Sequence, residues 1–169
     1  MKKVFDISQT DAKRQRQPQV HYDDRLLLSA LIAKRPVPIE MADSVQNGAV
    51  YDYERKTIFV QRGMDGQDLF RSVSLALARA EMAQQENSTP QADAFKSYCV
   101  SYMLCRKYGV DTQRYDFSRL PDELKNAEPQ TIRGELTDIR DTLQTMTGKM
   151  ARTLEQSRTA AQKETGKER

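Results

Sequence analysis

The chain predicts an α+β fold, mostly helical. One helix, a β-hairpin forming a small antiparallel sheet, and two long core helices make a domain, and an amphipathic helix follows it. Three observations carry this. Apolar residues recur at helical spacing from about Asp65 to Gln85 and again from Pro90 to Tyr108. Between Val45 and Gln61, two short runs rich in β-branched and aromatic residues flank a polar connector. From Pro129 onward, Ile132, Leu136, Ile139, Leu143, Met146 and Met150 recur at spacings of four and three, a heptad-like stripe.

Taken in order, residues 1–20 are polar, Gln-rich and basic, and predict a flexible lead-in. A helix is expected from about Asp23 to Lys34, with Leu26, Leu27, Ala30 and Leu31 as its apolar face. Asp23 and Asp24 complement the dipole of its first turn. Pro36 and Pro38 stop it and force extended backbone. Val45–Asp52 and Thr57–Gln61 read as the two hairpin strands, with Ile58 and Val60 facing one way and Thr57 and Phe59 the other. Asn47-Gly48 allows a bend or bulge in the first strand.

Asp65 is placed to cap the long helix that follows. Thr89 and Pro90 suit the cap and first position of the next, and Gly109 suits its left-handed end. A short helix is expected after Pro121. The domain so defined spans residues 21–128, the amphipathic helix 129–160, and a disordered tail 161–169.

The chain has 169 residues, 38% hydrophobic and 30% charged, enough apolar material for one modest core and a well-solvated surface. A net charge of +3 does not mark a strongly basic nucleic-acid binder. The basic residues gather at the ends, with Lys2, Lys3, Lys13, Arg14 and Arg16 in the lead-in and Lys163, Lys167 and Arg169 in the tail. Such arms allow weak contact with nucleic-acid phosphate. No apolar run approaches the roughly 18 residues of a membrane span. Lys2 and Lys3 precede no apolar segment of a secretory signal. Cys99 and Cys105 stand about 9 Å apart along a helix, too far for a disulfide. They read as reduced thiols of a cytoplasmic protein.

The window Phe70–Met82 (FRSVSLALARAEM) is the most informative stretch. It resembles the active-site helix of a small zinc peptidase without its ligands. Such a helix carries H-E-x-x-H, in which two histidines one turn apart bind the metal and the glutamate activates water. Other segments match in the same order. Tyr51–Met64 (YDYERKTIFVQRGM) resembles the hairpin of the LtrC-like and ArdC-like zinc metallopeptidase domains of bacterial conjugative elements, related to the ImmA/IrrE peptidases. Leu69–Ser72 and Ala78–Glu81 resemble the metal-site helix of that family, and Ser101–Asp111 (SYMLCRKYGVD) the end of the helix after it. The match runs from about Val37 to Asp111. It implies a minimal zincin-like fold.

The family's chemistry transfers badly. The ligand positions fall on Leu75 and Arg79, the general-base position on Ala76, and the third ligand near Tyr98. None of these binds zinc, and Arg79 is a permanent cation. The sequence therefore carries no catalytic and no metal-binding residue at these positions, and bound zinc is expected to be absent. The upstream single-stranded-DNA-binding region of many relatives has no room before Val37.

In the plainest reading, Leu75, Ala76 and Ala80 are core contacts, and Arg79 is solvated or paired to Glu81 or Asp93. In a functional reading the old cleft survives as a groove for a protein or peptide partner. The hairpin's edge strand then accepts an extended peptide, and Glu81, Asp93, Lys96 and Phe59 are candidate contacts. The heptad stripe from Ile132 to Met150 offers coiled-coil self-association. Two other readings stay open. One is an active zinc metallopeptidase with non-standard ligands drawn from Glu81, Asp93 and His21. The other is a nucleic-acid-binding accessory protein of conjugation or antirestriction.

Overall fold

The computed structural model describes residues 22–85 and 88–165. His21 and the basic lead-in lie outside the described residues. Helix α1 (Asp24–Ile32) begins at Asp23, whose carboxylate accepts from the backbone N–H groups of Arg25 and Leu26. Strand β1 (Ile39–Ala42) follows the two prolines. A tight 3-10 turn at Gln46–Gly48 leads into β2 (Ala49–Asp52), and β3 (Thr57–Gln61) returns from it. The helices α2 (Gly66–Met82) and α3 (Pro90–Tyr108) are joined by a short break. A single turn, α4 (Asp122–Lys125), precedes the long α5 (Pro129–Thr165). The protein is α+β and mostly helical.

The helix boundaries follow local chemistry. Asp65 caps α2 by accepting from Asp68 N–H, and Thr89 caps α3 by accepting from Ala92 N–H. Gly109, at φ 77°, ends α3 in the left-handed conformation expected of it. In the hairpin turn, Asp52 Oδ1 accepts from Glu54 and Arg55 N–H, both at 2.9 Å.

The sheet differs from the expected antiparallel pair. Its order is β1-β3-β2, with β2 antiparallel to β3 but β1 parallel to it. β1 is short, and Glu40 and Met41 are both exposed, so it lacks the alternation by which a strand is read from sequence. Its partner lies far along the chain. The first hairpin strand is also shorter than expected, because Asn47 (φ 58°) and Gly48 (φ 80°) turn the backbone left-handed before Ala49.

α2 is the central element. It packs against α1, α3, α5 and β2. Phe70, Val73, Ala76, Leu77, Ala78, Ala80 and Met82 are all buried, so little of its circumference meets solvent. The stripe on α5 divides. Ile139, Met146 and Met150 are buried in the chain's own core, joined by Leu154, while Ile132 and Leu136 are 40% and 59% exposed. From Ile139 onward the stripe is covered by α1, α2 and α3. The helix continues to Thr165, past the expected boundary at residue 160. Among the described residues no helix is long and apolar enough to cross a membrane.

A basic, aromatic-lined candidate binding cleft

One face of α2 stays open. Asp68, Ser72, Leu75 and Arg79 follow one another at helical spacing and line a cleft of about 580 Å³. Behind them α3 packs closely, because the facing side chains are small. Ser74 and Ser101 are fully buried and share a hydrogen bond of 2.6 Å. Both hydroxyls also reach the Arg71 carbonyl, at 2.9 and 3.2 Å. Tyr115 OH joins this network at 2.6 Å from Ser101 Oγ. Polar groups buried here are therefore all partnered, which fixes the register of the two helices beneath the cleft.

The rim comes from three other segments. Asn47 and Gly48 stand at one side, with Gln61 at the end of β3. Gly48 suits this rim by its backbone and by its size. Its φ is +80°, and a Cβ there would lie 2.5 Å from Met64 Sδ and 2.8 Å from Ser72 Oγ. The opposite wall is Tyr98 on α3 with Arg114 and Tyr115 from the loop after it. Tyr98 packs on Tyr115 and Phe117 with ring centroids 5.0 and 5.2 Å away. Its hydroxyl accepts from Asp116 N–H at 2.7 Å, pinning the loop to α3.

The cleft is positively charged. Among the described residues it is lined by Arg71, Arg79 and Arg114 against a single carboxylate, Asp68. Asp68 is committed to Arg71, and Arg114 reaches the same oxygen at 2.8 Å. The hydrogen bond from Arg71, with the charge of Arg114, holds the Asp68 carboxyl below its ordinary range. Burial pushes the Tyr115 hydroxyl above its ordinary range. Neither group is suited to take a proton near neutrality. Among the described residues that line the cleft, none is a base suited to activate Ser72.

The structure brings Leu75, Arg79 and Tyr98 together in this cleft. Ala76 does not belong to it; it is 1% exposed and points into the core. Glu81 pairs with Lys149 of α5. Asp93 and Lys96 are buried where α3 meets α5. Phe59 lies opposite Val50 on the outer face of the sheet, with the Arg55 guanidinium 5.8 Å from its ring centroid. These four residues are therefore not lining residues, and Arg79 pairs with neither Glu81 nor Asp93 among the described residues.

A leucine, an alanine turned inward, an arginine and a tyrosine whose hydroxyl is already engaged do not fit a zinc ion. Among the described residues no three His, Cys, Asp or Glu side chains gather as metal ligands. Sequence reasoning missed Arg71, Arg114 and Tyr115. Arg71 and Ser72 are legible as neighbours of Leu75 on the helix. Arg114 and Tyr115 come from an irregular loop, and no spacing rule carries them there. Comparison with protein-family models, with curated proteins and with solved structures gives no match.

Proposed function

We propose that this protein is a non-catalytic, metallopeptidase-like binding module that takes an extended polypeptide segment in the cleft beside α2. One observation carries the reading. The two helix positions where the resembling peptidases hold metal, Leu75 and Arg79, line a single cleft together with Tyr98. The groove remains while the ligands are replaced.

Two further features support it. β2 pairs with β3 on one side only, so an edge strand begins at the cleft rim beside Gly48. Edge strands accept extended peptides through main-chain hydrogen bonds. Cys99 and Cys105 are unpaired thiols, which suits a reducing cytoplasm, and the resemblance of Tyr51–Met64 is what links the module to a mobile genetic element.

Metal analysis and peptide selection test the reading together. Purified full-length protein, dialysed and assayed for zinc, is expected to hold far less than one equivalent and to leave a casein substrate intact. Selection from a displayed library of random peptides is expected to yield binders that compete for one site. Stoichiometric zinc with chelator-sensitive proteolysis would return the chain to the peptidases. A library that yields no binder would remove the peptide reading.

A further inference from the structure

We infer that Arg79 is the anchor of this cleft for a carboxylate on the bound peptide, an inference that rests on the peptide-binding reading above. The three arginines of the cleft are not equivalent. Arg71 is spent. It is 12% exposed, its terminal nitrogens pair with Asp68 and Asp111, and it donates to the Asp111 carbonyl at 2.9 Å. Arg114 donates to Asp68 at 2.8 Å and is 69% exposed, so water screens it. Arg79 differs from both. Its Nε donates to Ser97 Oγ at 3.3 Å, which aims the guanidinium from α2 across α3. Among the described residues its side chain has no ion pair and no other hydrogen bond.

No buried side-chain nitrogen or oxygen of the described residues lacks a partner. Among the described residues the terminal nitrogens of Arg79 have no partner and so are not sealed from solvent, and the side chain lines the cleft while its charge also reaches Tyr53. A half-buried guanidinium with one edge fixed and the other free presents a planar fork matched to a carboxylate. Leu75, one turn away on the same face, and Tyr98 opposite give that fork low-dielectric neighbours, which strengthens such a contact. The matching ligand is an extended peptide with a carboxylate beside an apolar residue.

The same features disfavour a nucleic acid. Backbone recognition of DNA or RNA uses several cations in a row, and among the described residues of the cleft only one is both unpaired and sheltered. Single strands are held by stacking bases on open aromatic faces. Tyr98, Tyr102 and Tyr115 instead pack on one another and on Phe117 at centroid distances of 5.0 to 5.4 Å.

Peptides selected on the full-length protein provide the probe. They are expected to share an acidic residue, or a free C-terminus, next to an apolar one. Fluorescence anisotropy of a selected peptide is then measured against Arg79→Gln, Arg79→Lys and Arg114→Gln, each checked for an unchanged thermal melt. Arg79→Gln is expected to weaken binding about tenfold or more, the size of one charge-assisted hydrogen-bonded pair. Arg79→Lys, which keeps the charge and loses the fork, should fall between. Arg114→Gln should cost less than about threefold.

Replacing the acidic residue by its amide, or amidating the C-terminus, identifies which carboxylate is used; loss with either supports the anchor. Selected peptides without a carboxylate that bind Arg79→Gln as well as the parent would overturn it while leaving the peptide-binding cleft intact. An equal loss in Arg79→Gln and Arg114→Gln would also overturn it, as would tighter binding of labelled oligothymidylate in the same cleft. If Arg79→Gln melts early, Arg79→Lys together with the amide peptide decides the matter alone.

Discussion

Lys96 Nζ on α3 donates to Asp138 Oδ2 on α5 at 2.9 Å. The lysine side chain is 9% exposed and also faces Asp93, 2% exposed, at 3.9 Å and Glu135 at the same distance. Asp93 in turn accepts from Tyr53 OH at 3.2 Å and from Ser88. A single cation thus joins the end of the hairpin, α3 and α5. Its removal leaves Asp93 buried with its neutral donors and without its paired cation. Lys96→Met is expected to cost about 3 kcal/mol or more, measured by urea unfolding. Asp138→Asn, at a half-open site, should stay within about 1 kcal/mol. A loss under 1 kcal/mol for Lys96→Met would mean that the cluster contributes nothing to stability.

Gly48 and Gly109 both have left-handed backbone, but their surroundings differ. A Cβ at Gly109 meets nothing within 4 Å, whereas at Gly48 it meets Met64 and Ser72. Gly109→Ala should cost about 1 kcal/mol from backbone conformation alone. Gly48→Ala adds overpacking of about 1–3 kcal/mol and should lower the thermal midpoint further. It should also weaken peptide binding, because the displaced side chains fill the cleft. Equal melting points for the two variants would refute the close approach.

The two halves of the α5 stripe should respond differently to truncation. Met150 is 1% exposed and Leu136 59%. Met150→Ala is expected to lose about 2–4 kcal/mol at every protein concentration, and Leu136→Ala to stay within about 0.5 kcal/mol. A thermal midpoint that rises with concentration and falls in Leu136→Ala would instead show that copies associate through the exposed turns.

Stability should decline in alkali. Burial raises the Tyr53 hydroxyl, helped by the Asp93 carboxylate beside it, and burial likewise raises Tyr51, Tyr108, Tyr115, Cys99 and Cys105. The unfolded chain therefore gives up these protons at lower pH than the folded one. Their contribution is complete below the ordinary values of 9.0 for the thiols and 10.0 for the phenols, and is lost as pH rises from there toward the folded values. Urea midpoints should hold steady from neutrality to about pH 8.5 and then fall. A flat profile up to about pH 11 would contradict the burial of these hydroxyls and thiols.

Much of the secondary structure was legible because its causes are local. Asp65 and Thr89 accept from N–H groups three residues on, and Gly109 needs only its own backbone freedom. The same locality made Leu75 and Arg79 a recognisable pair, since four residues of helix place them on one face whatever surrounds it. β1 was not legible, because its reason to be a strand is β3, paired in parallel from beyond the intervening turn and hairpin. Lys96 offered no signal of burial either, since the acids that hold it lie partly on α5.

The sequence by itself determined the helices and the hairpin and placed Leu75 and Arg79 on one helix face, each set by residues within a turn or two of one another. The tertiary structure alone decided which side chains line the cleft beside them. It turned Ala76 inward, drew Glu81, Asp93 and Lys96 into pairs away from the cleft, and brought Arg114 and Tyr115 in from a loop. The physical reason is that a side chain's role depends on which opposite charge or apolar surface reaches it first. Packing between distant elements sets that order, and among the described residues of the cleft it leaves Arg79 without a carboxylate.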